Sequence, residues 1–441
     1  MHSVCDSALT RRAWLGGGLA FGAGLAIAPW NRAIATPAPQ GIDSQWPAVT
    51  QLLAAAVADH SLPGGLACFG WDQGAPQVIA RGTQAFDDKR AMASDTLFRV
   101  YSMTKPLTGM VASMLITEGK IGIDQKLADF LPEFATSKVA LDADNSLDAA
   151  PAKTPITIRQ LLTHTAGLAY PGVHQDKVSQ ALLEQGADPA RLTHLVLPGI
   201  TPPVPIPPPA DFIKLVAAMP LVHEPGTRWR YGMGLDIIGL VIEQITGKGL
   251  ADVMAERLFG PLGMTSSFFQ VPASETFRLT TDYGTKDGAI LPLDSSKTSV
   301  FLDPPAFAFG GSGLVTTAID YDRFLAMVLN SGKVDTVQVV DAAAVTLATS
   351  NLLPLGSDTA GTIVAGTGFG AGARVGIGRE TGLYGWSGAA GTVGFCDKRI
   401  GLRGGLYTQC LHKLPEVSTI AKAFPNAVRA DVLTRPPMDT P

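Results

Sequence analysis

Ser102 stands three residues before Lys105 in Ser102-Met103-Thr104-Lys105, at the start of an apolar helical pattern that follows the strand-like run Leu97-Phe98-Arg99-Val100. On a helix, positions i and i+3 share a face, so the hydroxyl and the amine come within hydrogen-bond reach, as an activated serine nucleophile and its base require. The orphan N–H groups and dipole at a helix N-terminus favour negative charge developing on the serine and oppose an ammonium, which suits Lys105 to act as a base. By itself the spacing is weak, because a Ser three before a Lys arises by chance in most chains of this length. Its place between strand and helix strengthens it.

Four further segments keep it company. They are Leu161-Leu162-Thr163-His164-Thr165-Ala166-Gly167-Leu168, Tyr231-Gly232-Met233 within 225–236, Gly310-Gly311-Ser312-Gly313-Leu314-Val315, and Trp386-Ser387-Gly388-Ala389. The histidines are scattered and no Cys/His spacing suggests a metal, so neither a metal nor a cofactor is expected. Gly385-Trp386-Ser387-Gly388-Ala389 has Ala where a G-x-S-x-G elbow needs its second Gly, which disfavours a Ser-His-Asp hydrolase.

In these five ordered segments the chain resembles the serine β-lactamase superfamily: class C β-lactamases, D-Ala-D-Ala peptidases and, most nearly, the family VIII carboxylesterases. The resemblance spans about residues 45 to 410. It implies Ser102 as nucleophile, Lys105 as the base that activates it and Tyr231 as partner base or acid. It also implies an oxyanion hole built from the backbone N–H groups of Ser102 and Ala389. Trp386-Ser387-Gly388 takes the place of the K-T-G strand motif, and Met233 the place of the Asn that closes Y-x-N. His164 falls in a segment that is structural in this superfamily. Asp236 matches an acid common in family VIII and is read here as a cap of the helix 234–246.

Two departures from the lactamase pattern set the expected function. Trp386 replaces a lysine that attracts a substrate carboxylate, and Met233 replaces an amide. Losing a charge-assisted hydrogen bond to an anionic substrate costs about 1.5–3 kcal/mol, or roughly 10–150-fold. The expected activity is therefore hydrolysis of neutral, short-chain acyl esters, with a small-molecule ester as partner. A β-lactamase or D-Ala-D-Ala carboxypeptidase, an acyltransferase, and a non-catalytic binding protein on the same scaffold are the rival readings.

The elements that must position these residues follow from pattern. A helix is expected over 47–59 and a hairpin of two strands around Asp72-Gln73-Gly74. Helical spacing follows over 102–118, 157–164, 211–218, 234–246 and 250–259, and Thr157-Ile158-Arg159-Gln160 has the form of a capping box. Strands return at 313–315, 391–396 and 402–408, a helix begins near Thr317, and a last helix is expected from Pro425 to Leu433. The fold class is α/β: an antiparallel sheet flanked by helices, with a large inserted helical domain. The sheet domain is expected over 41–101 and 305–436, and the insert over 102–304 with a proline-rich, extended connection at 197–209.

Composition agrees with a globular enzyme. Of 441 residues, 46% are hydrophobic and 16% charged, enough to bury a large core. A formal charge of −4 and the lack of basic runs argue against nucleic acid. Residues 1–35, with Arg11-Arg12, an apolar Gly-rich run and Ala33-Ile34-Ala35, resemble a twin-arginine export signal. That run is too short for a bilayer span, so a periplasmic or secreted protein with no stable membrane span after cleavage is expected. Removal of Cys5 leaves Cys68, Cys396 and Cys410, an odd number that allows at most one internal bridge. Oligomeric state is left open.

Overall fold

A computed structural model describes residues 41–189, 193–194, 204–286, 289–411 and 415–434. The expected export segment 1–35 and residues 197–203 of the proline-rich connection lie outside the described residues.

The two ends of the chain build one sheet. The hairpin strands Gly64–Trp71 and Gln77–Ala85, with the short Asp88–Ala91, join the C-terminal strands Gly368–Phe369, Arg374–Val375, Leu383–Gly388, Thr392–Asp397 and Leu402–Tyr407. All seven neighbouring pairs are antiparallel, and the seam between the ends runs from Leu66 opposite Tyr407 to Trp71 opposite Leu402. Strands 64–71 and 402–407 are buried almost throughout, because helices cover both faces of the sheet.

On one face lie the helices Pro47–Ala58 and Pro415–Thr434. The second was expected to begin at Pro425, yet Pro425 sits inside it. An interior proline forfeits a backbone hydrogen bond, but Ile420, Phe424 and Val428 recur every four residues and are buried against the sheet, so tertiary burial carries the helix through. Asp431 from the same helix accepts the N–H groups of Ala48 at 2.8 Å and Val49 at 3.0 Å, capping a partner helix whose own N-cap residue, Trp46, makes no side-chain cap bond.

The other face carries the helix Ala318–Leu329, whose N-cap is Thr317 as its side chain accepts the Asp320 N–H. Beyond it lies the helix Thr104–Thr117, buried at every residue from Thr104 to Leu115. A helix apolar on all sides belongs in the centre of a molecule. Around it pack Ala342–Ala348, Gly234–Thr246 and Leu250–Met254, and Ile158–Leu162 packs in turn on Gly234–Thr246. The Thr157/Gln160 capping box forms as expected. Pro209 opens the helix Pro209–Ala218 at its first turn, where a missing N–H costs nothing, so the extended run ends one residue early.

Other elements are shifted from their expected places or had no expectation at all. The strand Leu97–Arg99 pairs with Val315–Thr317, two residues later than expected, and Asp282–Lys286 forms a hairpin with Ala289–Asp294. Cys68 and Cys396 are free, buried thiols, and burial pushes the Cys396 thiol up to about 12, which leaves it unreactive at neutral pH. No helix among the described residues is long and apolar enough to cross a membrane, and none of their acidic, His or Cys side chains group into a metal site.

Candidate active site

Ser102 sits in a single 3-10 turn, Tyr101–Met103, that leads into the helix Thr104–Thr117, so the α-helix starts two residues later than the expected 102. Tyr101 holds φ at +40°, an uncommon value for a bulky residue. Its hydroxyl donates to Asp282 at 2.7 Å, and the buried Arg99 just upstream is tied to Asp294 at 2.6 Å. The hairpin 282–294 thus clamps the strand end from which Ser102 projects.

Lys105, one turn on, is fully buried. Its Nζ donates to Ser102 Oγ at 3.2 Å and to the Gly311 carbonyl at 2.8 Å, and lies 3.5 Å from the Tyr170 hydroxyl. Tyr231, just ahead of the helix Gly234–Thr246, donates its hydroxyl to Ser102 Oγ at 2.7 Å, and Lys105 Nζ stands 4.6 Å from the centre of its ring. Residues separated by 129 positions in sequence therefore meet on one oxygen.

Trp386 and Ser387 lie on the strand Leu383–Gly388, and Ala389 follows it. Gly388 is where this strand meets the Ser102 turn: a Cβ there would fall 2.2 Å from the Val100 carbonyl oxygen and 2.3 Å from Thr392 Oγ1. Only glycine lets Ala389 come so close to the nucleophile's turn. The Trp386 ring is 5.9 Å from Tyr231 and 5.2 Å from Phe369, edge-on to the latter. Together with Trp229 these rings form an aromatic wall beside Ser102. Met233 is fully buried, and its carbonyl accepts the first N–H groups of the helix 234–246.

Asp236 corrects an expectation. It does not cap its helix, which has no side-chain cap bond; its Oδ1 accepts the Gly311 N–H at 2.8 Å instead. The cap reading failed because the side chain points into the core, where complete burial pushes its pKa up to about 6 against the lowering effect of the Lys105 charge. Gly311 is therefore gripped on both sides, by Asp236 at its N–H and by Lys105 at its carbonyl.

Tyr170 was missed altogether. It follows the Leu161–Leu168 segment with no spacing of its own to mark it, and burial raises its pKa well above the ordinary tyrosine value. His164 makes no contact with Ser102 that would fit a triad; its Nδ1 accepts the Gly232 N–H.

A family model described as Beta-lactamase matches residues 49–423. The chain belongs to the Beta-lactamase family.

Within that family, Protein Rv1367c of Mycobacterium tuberculosis is 36% identical over 272 residues, which cover 62% of this chain and 63% of that protein. This chain therefore spans a little under two thirds of that relative. Esterase EstB of Burkholderia gladioli is 29% identical over 74% of this chain and 81% of its own length. Among solved structures, EstCE1, titled a hydrolase with promiscuous acyltransferase activity, superposes with a TM-score of 0.70 at 23% identity. It covers 88% of this chain and 98% of that one. The fold expected from the sequence, a β-lactamase-like antiparallel sheet flanked by helices, and the resemblance to family VIII esterases are both borne out.

Proposed function

We propose that this chain is a serine carboxylesterase that hydrolyses neutral, short-chain acyl esters through an acyl-enzyme on Ser102. The observation that carries the reading is Ser102 Oγ held between Lys105 Nζ at 3.2 Å and Tyr231 Oη at 2.7 Å, beside a wall of Trp386 and Phe369. Likeness to EstB supports the same reading.

Ser102 Oγ attacks the ester carbonyl while its proton passes to the Lys105–Tyr231 pair. The oxyanion accepts from the N–H groups of Ser102 and Ala389; each such donor is worth about 3–4 kcal/mol to a transition state. Tyr231 then returns the proton to the leaving alkoxide, and water, activated by the same pair, releases the acid. Buried Lys105 cannot reach out to a substrate carboxylate, and Trp386 supplies none of the charge that lysine gives at the resembled position.

The test is a parallel measurement of kcat/KM on p-nitrophenyl butyrate and on nitrocefin. The ester is expected to be preferred by at least 100-fold, in line with the loss of one charge-assisted bond and one amide. Parity, or preference for nitrocefin, would move the assignment to β-lactamase while leaving the Ser102 chemistry in place. EstCE1 is described as having transferase activity, so products are to be analysed with added alcohol; transesterification outrunning hydrolysis at low alcohol would make the chain an acyltransferase.

We propose further that residues 1–35 direct export and are cleaved, because the paired arginines, apolar run and Ala33-Ile34-Ala35 form one continuous signal pattern. N-terminal sequencing of protein recovered from a periplasmic fraction should begin at Thr36. An intact N-terminus in the cytoplasm would reject it.

A further inference from the structure

Tyr231 lies in a stretch, 229–232, that is neither helix nor strand, so no backbone ladder fixes it. Its placement comes from isolated backbone bonds at Trp229, Arg230 and Met233 and from two side chains that take the peptide between them. Both polar groups of the Tyr231–Gly232 peptide are taken by histidines: the carbonyl accepts from His174 Nε2 at 2.8 Å, and the N–H donates to His164 Nδ1 at 3.3 Å. Because Nδ1 accepts, the His164 proton is on Nε2.

His164 holds the chain on the other side of Tyr231 too, since its own carbonyl accepts the Arg230 N–H at 2.9 Å. Its ring packs 4.6 Å from the Tyr231 ring. To do this it adopts φ of +55°, a region unfavourable for a non-glycine residue that persists only where the surroundings enforce it. Burial and the Lys105 charge push its pKa well below the ordinary histidine value, which keeps Nδ1 an acceptor. His174 arrives from the segment after Tyr170. That segment is docked by Asp176, which pairs with Arg230 at 2.6 Å and caps the helix Lys177–Glu184.

We propose that His164 and His174 are positioning residues that clamp the Tyr231–Gly232 peptide and thereby set the Tyr231 hydroxyl on Ser102 Oγ. The inference rests on the reading of Tyr231 as the proton-transfer group. Without the clamp, rotation of one peptide moves a hydroxyl at the end of a tyrosine by more than the tolerance of a hydrogen bond, and misplacement by ~1 Å can cost ~100-fold in rate.

The test compares truncating and mimicking variants on p-nitrophenyl butyrate. His174→Leu removes the donor, whereas His174→Gln offers an amide N–H near the position of Nε2. His164→Ala removes the acceptor, whereas His164→Asn offers an oxygen near Nδ1 and tolerates positive φ. The truncations are expected to lower kcat at least 10-fold with KM within twofold, and the mimics to recover at least a third of the wild-type kcat. His174 is partly exposed, so its pair decides the matter if His164→Ala does not fold. Retention of more than half of kcat in folded His174→Leu would overturn the inference, as would a folded His174→Gln no better than His174→Leu. Tyr231→Phe, run alongside, separates the two failures: if it is fully active, the role of Tyr231 itself is wrong; if it is inactive while both His174 variants match wild type, only the clamp is wrong.

Discussion

Ser102→Ala is expected to lower kcat for simple aryl esters by roughly 10⁴–10⁶-fold, the range seen when a serine nucleophile is removed from a unit of interacting residues. The exchange deletes one oxygen from a largely buried turn whose shape is held from elsewhere. Tyr101 is anchored through Asp282, Arg99 through Asp294, and Gly388 packs on the Val100 carbonyl. Folding and Tm should therefore stay close to wild type, and the loss can be assigned to chemistry. Lys105→Met should be similarly inactive, and the double variant no worse than either single one, because the two groups act on the same proton. A fluorophosphonate probe should label the wild type and neither variant. More than a few per cent of residual activity in Ser102→Ala, after contaminating esterases are excluded, would remove Ser102 from the role. Additive losses in the double variant would mean that Lys105 serves another function, such as charge balance for Asp236.

The parts of this molecule that could be read in the sequence are those written in local pattern. The hairpin 64–85, the Thr157 capping box and the central helix all announce themselves through periodicity or turn residues. The Ser102/Lys105 pair is local as well, three residues apart on one helical turn. Tyr231 and Trp386 came from the resemblance, since nothing in their own surroundings says they meet Ser102. What escaped was contact made by folding alone. Lys105 reaches Tyr170 across 65 positions and Gly311 across 206, and no spacing rule encodes such distances. Asp236 misled for the opposite reason: an acid in the first turn of a helix usually serves the helix dipole, and only the packing shows that it faces Gly311. Pro425 misled in the same way, its local rule overridden by burial of Phe424 and its neighbours.

Asp236 also gives the pH dependence a definite sign. Its carboxyl is pushed up to about 6 by full burial, so above that pH it is an anion beside Lys105, and below it is neutral. As the anion it holds the Gly311 N–H strongly, and the Gly311 carbonyl in turn orients Lys105 Nζ toward Ser102. The profile of kcat/KM should therefore rise towards alkaline pH with an acid limb near 6 and fall about tenfold per pH unit below it. Asp236→Asn keeps an acceptor for Gly311 but no charge, so it should lose that limb and be slower at pH 8 by about 10–100-fold. Stability should move the other way. A carboxyl whose pKa is higher folded than unfolded favours the fold fully below its unfolded value near 3.9, and that contribution is lost as pH rises to about 6. The span corresponds to roughly 3 kcal/mol, and Asp282, also pushed up to about 6 by burial, adds a loss of the same sign. Urea melts of wild type and Asp236→Asn at pH 4.5 and 7.5 should show the variant gaining on the wild type at the higher pH. An unchanged acid limb in Asp236→Asn would place the titration on another group; equal stability differences at both pH values would mean that Asp236 does not titrate in this range.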